Sequence, residues 1–417
     1  MIMPSYFIEH SRYLNVIGIG VVLGIAWLFS AHKKNIKYGL VAKALLIQAG
    51  IALCALKTSF GSSLIAKMST GVSYLYTYAS QGNQFIFGKL GVCAEPWGSI
   101  FALQILPLII FFGAFMSLLF YLGVVQKIVG AVSNFMRPLL GTTGAETVCA
   151  IANSFLGQTE APLLIRHYLK HMTKSEIMLV MISGMGTISG SILVVFSSMG
   201  VPVQHLLASS VMAIPATVLV AKILMPETEK HQQVSTKVEY DQTASNVFDA
   251  LSAGTSDGLQ LALNVGAMLL SFIALMCMIN GLLAGMTGYV NGWFNLELPP
   301  LSLDYIFSKL FYPFAYLMGC TGETATQVAE LLGTKVAINE FLAYLKMQSM
   351  DLPERIKALT TYALCGFSNF SCIGIQVGGI GALVPEKRQW LTELGLRAVL
   401  GGALANLLTA FMAGLFI

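Results

Sequence analysis

The sequence predicts an all-α polytopic membrane protein with eight transmembrane helices and two opposed re-entrant hairpins in an inverted repeat. Three observations carry the prediction: scarce charge, recurring apolar runs of bilayer length, and two half-length segments with acidic residues at matched places. Of 417 residues, 56% are hydrophobic and only 11% charged. A soluble domain carries roughly 25% charged residues. A helix needs about 20 apolar residues to cross the hydrocarbon. Such runs occur at Tyr13–Ser30, Leu40–Leu56, Ile100–Val125 and Ile177–Met199, and again at Val203–Leu224, Leu259–Leu283, Ala358–Leu383 and Leu394–Phe416. The lipid bilayer is therefore the expected surroundings. The net charge of +4 is spread over loops, with no basic cluster interleaved with aromatics, so no nucleic-acid partner is indicated.

The seven cysteines show no C-x-x-C spacing and mostly sit in apolar stretches, which suggests neither a disulfide framework nor a zinc site. The N-terminus lacks a basic region followed by a cleavage site, so the first span is expected to be retained. Cytoplasmic loops are enriched in Lys and Arg. With both termini outside, 14 basic residues fall inside, among them Lys33, Lys34, Lys37, Lys222, Lys230 and Lys237, against 8 outside. Arg355 and Lys357 are the awkward outside pair. The chain divides into 1–125 (spans 1 to 3), 126–225 (the first hairpin with spans 4 and 5), the polar loop 226–246, and 247–417 (span 6, the second hairpin, spans 7 and 8).

The two unusual stretches are Gly141–Leu169 and Gly319–Leu345. Both open with Gly-x-Thr-Gly and a Glu, then run about three helical turns to Gly157 or Gly333, with a further carboxylate beyond, Glu160 or Glu340. Each half is too short to cross a bilayer, so each stretch reads as a helix–break–helix that enters and leaves on one side. The following spans carry matching small, polar midpoints: Ser183–Ser189 and Cys365–Ser371. Irregular backbone survives in a membrane only where it is buried in protein or lines a cavity. Opposed hairpins with broken helices meeting at the midplane mark many secondary transporters. Close helix packing would account for Gly184 and Gly366 alone, but not for two matched intramembrane carboxylates, which are costly and usually functional.

At the hairpin tips, Gln158, Thr159 and Glu160 offer an amide, a hydroxyl and a carboxylate in succession. Asn339, Glu340 and Phe341 face them, and Phe367, Asn369 and Ser371 come from the broken seventh span. Apart from Lys335, no cation joins the set, so the site is rich in acceptors and suits a ligand with O–H and N–H donors, such as a hydroxyl pair or a nucleobase edge. Phe367 or Phe341 offers a ring to stack on a base. Bland roles stand beside these: helix capping for Gln158 and Thr159, helix bridging for Asn369, local pairing for the two Glu. A cation site is suggested by Asn153, by Thr187, and by carbonyls freed at Leu156 and Ile188. These residue types alone do not separate sodium from proton coupling. An intramembrane enzyme using the carboxylates as acid and base, and a channel, are the readings from other classes.

The strings Gly157-Gln-Thr-Glu-Ala-Pro162, Asn339-Glu-Phe341 and Cys365-Gly-Phe-Ser-Asn369 resemble the concentrative nucleoside transporter family, as do Pro226-Glu-Thr-Glu-Lys230 and Leu259-Gln-Leu-Ala-Leu-Asn264. The resemblance covers nearly the whole chain. It implies a homotrimer in a bacterial inner (plasma) membrane, with a central scaffold and a transport domain that moves as an elevator. It implies a sodium-coupled symporter that imports nucleosides of the uridine, cytidine and adenosine class, and no enzyme. The alternative is a proton-coupled symporter of the same fold for nucleosides or nucleobases. It further implies that Gln158, Thr159 and Glu160 face the nucleobase, that Leu261 packs on it, and that Glu340 and Asn369 hold the ribose beside position 372. Asn153, Leu156, Thr187 and Ile188 would bind the coupling Na+. Cys372 stands where many relatives have Ser, and a thiol is the weaker donor. Thr187 replaces a common Ser but keeps the hydroxyl, and Asn153 favours sodium.

Overall fold

The computed structural model describes residues 11–91, 100–229, 244–294, 297 and 299–417. Cys93, Lys230, Lys237 and most of the expected polar loop 226–246 lie outside the described residues. All regular elements among the described residues are helices. Six are long and apolar enough to cross a membrane: Tyr38–Lys57, Phe101–Tyr121, Lys174–Ser198, Val203–Leu224, Val247–Phe294 and Pro385–Gly414. They hold the second to sixth and the eighth expected spans. The first is Arg12–Leu28, whose 17 residues rise about 26 Å at 1.5 Å each, close to the thickness of the hydrocarbon. The seventh is split into Glu354–Leu364 and Ser371–Leu383. The sixth far exceeds its apolar run: its 48 residues reach about 72 Å at the same rise.

One long helix has no counterpart among the expected spans. Ser59–Phe87 runs 29 residues between the second and third spans. Its serines and threonines lower its hydropathy, yet Ser62, Thr70, Ser73 and Thr77 each donate to the carbonyl four residues back. That self-satisfaction leaves these hydroxyls in no need of an outside partner.

Contacts fix which ends lie together. Arg12 donates to the Ile417 carbonyl (3.0 Å) and Arg355 to the Gly414 carbonyl (3.0 Å), so the first described residues, the end of the last span and the start of the seventh share one end. Arg355, awkward as a loop charge, is thus a C-terminal cap for the last helix. The amide of Ala31 donates to the Leu224 carbonyl (2.9 Å) at the opposite end. There Lys222, buried in the last turn of its helix and not in a loop, pairs with Glu146 of the first hairpin at 2.6 Å. The first hairpin therefore opens at that end. The second leads directly into Arg355 and opens at the other, so the two are opposed.

Each hairpin follows its local chemistry. Thr143 and Glu146 form a capping box that starts Gly144–Ala152. Residues 153–160, with Gly157 among them, break the helix, and a short 3-10 turn Ala161–Ile165 leads back out through Arg166–Leu169. In the second hairpin the expected break at Gly333 is wrong. Gly322–Ala337 runs straight through it, and the chain turns at Ile338–Asn339, where the Asn339 side chain accepts from the Leu342 amide (2.9 Å) and starts Glu340–Gln348. Gly333 serves packing: a Cβ there would lie 2.2 Å from Phe307 Cβ, in helix Leu303–Leu310. The fourth span also breaks later than its glycines suggest, at Thr187–Ser189, with Ser183 and Gly184 still helical.

The fourth, fifth and eighth spans form the interior. Burial of their most apolar windows is 94%, 89% and 78%, against 33% for Phe101–Tyr121 and 17% for Val247–Phe294. Those two peripheral helices cross with their backbones in contact. A Cβ on Gly113 would lie 2.6 Å from the Gly254 carbonyl oxygen, and one on Gly258 would lie 2.9 Å from that of Ile110. Ser117 adds a hydrogen bond to the Ala250 carbonyl (2.8 Å). Small residues at such crossings let transmembrane backbones meet.

Gly333→Ala is expected to destabilise the protein by about 1–3 kcal/mol through overpacking against Phe307. Gly71→Ala, with open space around its Cβ, serves as the control with little effect. Thermal denaturation of the two variants in detergent checks this.

Candidate functional site

Breaking a transmembrane helix frees backbone groups where no water can reach them, and each must find a partner. The first half of the fourth span ends at Gly186 and that of the seventh at Leu364. One buried side chain of the last span serves both. Asn406 Nδ2 donates to the carbonyls of Gly186 (2.7 Å) and Cys365 (2.9 Å). Its Oδ1 accepts from Lys335 Nζ (2.6 Å) and Ser368 Oγ (3.2 Å). Lys335 also donates to the Ala363 carbonyl (2.8 Å), so this buried lysine anchors the second hairpin to the seventh-span break. The amide of Phe367 donates to the Thr187 carbonyl (3.3 Å) and closes the two breaks upon each other.

On this frame the tips converge, but not by direct contact of the two acids. Gln158 Nε2 of the first hairpin lies 3.2 Å from Cys372 Sγ. The Cys372 amide (3.0 Å) and Ser371 Oγ (2.6 Å) donate to Asn369 Oδ1, while Asn369 Nδ2 donates to Glu340 Oε2 (3.2 Å) of the second hairpin. A continuous polar chain thus joins hairpin to hairpin through the seventh span. Glu340, Asn369 and Cys372 are buried, whereas Glu160 and Thr159 are exposed. Glu160 accepts from the Gly157 amide (3.3 Å), and the Thr159 methyl lies over Gly379. Two carboxylates at matched places therefore meet unlike surroundings.

Phe367 is half-buried beside this chain and keeps its place as a stacking candidate. Phe341 does not. It is buried edge-to-face on Phe101, centroids 4.8 Å apart, with Phe196 at 5.8 Å, so its faces belong to the core. Leu261 stands 39% exposed on the long sixth helix and is not part of the connected chain.

The cation candidates also come together. Asn153 Nδ2 donates to Ser183 Oγ (2.9 Å), and Thr187 Oγ1 lies 2.9 Å from the Asn153 carbonyl and 2.8 Å from that of Ser183. Asn153 Oδ1 is buried without a hydrogen-bond partner. Among the described residues no hydrogen bond reaches the carbonyls of Leu156 or Ile188. Buried acceptors left unpaired are costly and call for an unseen partner. An oxygen-seeking monovalent cation fits this donor set.

Sequence reasoning passed over Gln376, Ser183 and Asn406. Gln376 lies one helical turn after Cys372 and Ser183 one before Thr187, so spacing from a known candidate marks each. Asn406 has no such neighbour; its partners lie 38, 41, 71 and 220 residues away. The glycines tie in here as well. A Cβ on Gly366 would lie 2.5 Å from Asn406 Oδ1, so the packing glycine and the polar machinery are one arrangement.

Comparison with known proteins gives the family. Family models match as "Na+ dependent nucleoside transporter N-terminus" over residues 17–90, "Nucleoside recognition" over 102–202, and "Na+ dependent nucleoside transporter C-terminus" over 205–414. The chain is 38% identical to the nucleoside permease NupC of Helicobacter pylori over 421 residues, covering 98% of each. It is 35% identical to sodium/nucleoside cotransporter 1 of Rattus norvegicus over 418 residues, 95% of this chain and 63% of the rat protein. Among solved structures, CNTnw in an inward-facing substrate-bound state matches with a TM-score of 0.89 at 38% identity, covering 97% of each chain. A CNTnw variant in an intermediate state matches at 0.91, covering 97% of this chain and 98% of that one. Opposed hairpins, paired breaks and full-length likeness converge, and the chain belongs to the concentrative nucleoside transporter family, whose proteins are transporters and not enzymes.

Proposed function

We propose that the chain is a sodium-coupled symporter that imports nucleosides across a bacterial inner membrane. The observation that carries sodium is the buried, unpartnered Asn153 Oδ1, set beside the unpaired carbonyls of Leu156 and Ile188 and the Thr187 hydroxyl. A proton needs one basic atom, whereas this arrangement offers several neutral oxygens, the donor set of a hard cation. Relatives named as sodium/nucleoside cotransporters support the same ion.

In this reading Gln158, Thr159 and Glu160 face the nucleobase, with Phe367 and Leu261 against its ring. Glu340 and Asn369 hold the ribose beside Cys372. Glu340 is buried and already accepts from Asn369, so a ribose hydroxyl that reaches it completes a charge-assisted pair in a dry setting. Cys372 supplies a weaker hydrogen bond there than a serine would. Exposed apolar residues of the sixth helix, such as Leu270, Trp293 and Phe294, give surface for lipid and for the scaffold of a homotrimer. Residues 1–125 contribute scaffold spans, while the two hairpins with the broken fourth and seventh spans form the body that moves as an elevator.

Glu340→Gln is expected to lower nucleoside uptake by about tenfold or more, since each hydrogen bond to a charged group contributes about 1.5–3 kcal/mol. Radiolabelled uridine uptake into proteoliposomes, with trimer integrity checked by size exclusion, tests it; near-normal transport removes the ribose role. Asn153→Ala is expected to raise the sodium concentration for half-maximal uptake by about tenfold, the worth of one ligand at roughly 1.4 kcal/mol. Uptake with sodium and pH gradients imposed separately decides the coupling ion: indifference to sodium assigns the proton-driven alternative.

A further inference from the structure

Gln376 lies in the second half of the broken seventh span, fully buried, and the functional reading above gives it no role. Its Nε2 donates to the backbone carbonyl of Met181 and to Gln158 Oε1, each at 3.0 Å. A backbone carbonyl only accepts, so the Gln376 atom facing Met181 is its NH2 group. The same NH2 faces Gln158, so the Gln158 atom opposite it must be oxygen. Gln158 Nε2 is thereby turned the other way, to Cys372 Sγ at 3.2 Å, a weak acceptor that a better one displaces readily. A main-chain carbonyl two steps away thus sets which face of the Gln158 amide is available. Gly184 makes the room: a Cβ there would lie 2.8 Å from Gln158 Cβ and 2.9 Å from Gln376 Nε2. The relay packs closely against the helix at Gly184.

We propose that Gln376 is a positioning residue that presents Gln158 to the ligand as an N–H donor, so that the pocket favours a base carrying a carbonyl at that edge over one carrying an exocyclic amine. The proposal rests on the reading that Gln158 faces the nucleobase. A keto edge accepts the offered N–H. An amino edge meets donor with donor. To serve it, Gln158 must turn over, which sets its NH2 against that of Gln376 and strands buried groups.

The test is competition of labelled uridine uptake by uridine against cytidine, and by inosine against adenosine, in proteoliposomes of the intact protein. The unaltered chain is expected to favour the keto member of each pair by about tenfold, the worth of one mismatched buried hydrogen bond. Gln376→Glu, once ionised at raised pH, cannot donate to Met181 or Gln158; its carboxylate accepts from the Gln158 NH2, turns that amide over and inverts the preference. Gln376→Met frees Gln158 and brings the ratio towards one. A merely structural role would weaken all four ligands alike, and that result overturns the proposal. So does an unaltered chain that prefers the amino members, which needs no variant to fold. Gln158→Leu separates the two levels. If it changes the ratios while both Gln376 variants leave them unchanged, the relay is wrong and the base contact stands. If it leaves them unchanged, Gln158 does not face the base, and both fall.

Discussion

Unwound backbone in hydrocarbon is the constraint from which the rest of this structure follows. The fourth and seventh spans each give up hydrogen bonds at mid-depth, and lipid supplies none in return. Asn406 answers for both, with two donors on Gly186 and Cys365 and one acceptor shared by Lys335 and Ser368. A carboxamide is suited to this because it donates twice and accepts through two lone pairs without carrying charge. Its burial is tolerated because every bond is made. The surrounding glycines follow from the same demand, since any side chain at 366 would occupy the space of the amide.

The two hairpins are held by unlike electrostatics. The first is fastened near its mouth by the Glu146–Lys222 ion pair, with Ser175 also accepting from the lysine at 3.2 Å. Loss of one partner from such a buried pair strands a charge, so the pair acts chiefly as a fastening of register. The second is fastened near its tip by Lys335, whose described partners are neutral oxygens. A buried lysine bonded to neutral oxygens therefore sits deep in one half, whereas the other half holds the buried, unpartnered oxygen of Asn153.

Much of this was legible in the residues. Hydrocarbon imposes a length on every span, so all eight were readable, and the hairpins were readable because half-length apolar segments have few other solutions. The misplaced break shows the limit. Gly333 looks like a helix breaker, but glycine also permits close approach, and only the position of Phe307 distinguishes the two uses. The ends of the sixth helix were invisible because they extend past the apolar run, and Ser59–Phe87 because self-bonded hydroxyls do not register as apolar. In the site, the residues clustered at the tips were readable as a polar group. Gln376 and Asn406 were not, because a single amide in an apolar span has no meaning until its partners, as far as 218 and 220 residues away in the chain, are placed beside it.

The crossing of Phe101–Tyr121 with Val247–Phe294 brings main-chain atoms together at Gly113, Gly254 and Gly258. Rotamers can rearrange at an ordinary helix interface and let one partner glide along the other; a joint where backbones meet across small residues has little to rearrange. The close crossing therefore ties these two helices into one piece, and the looser, side-chain-lined boundaries around it are where the fold leaves room for relative movement.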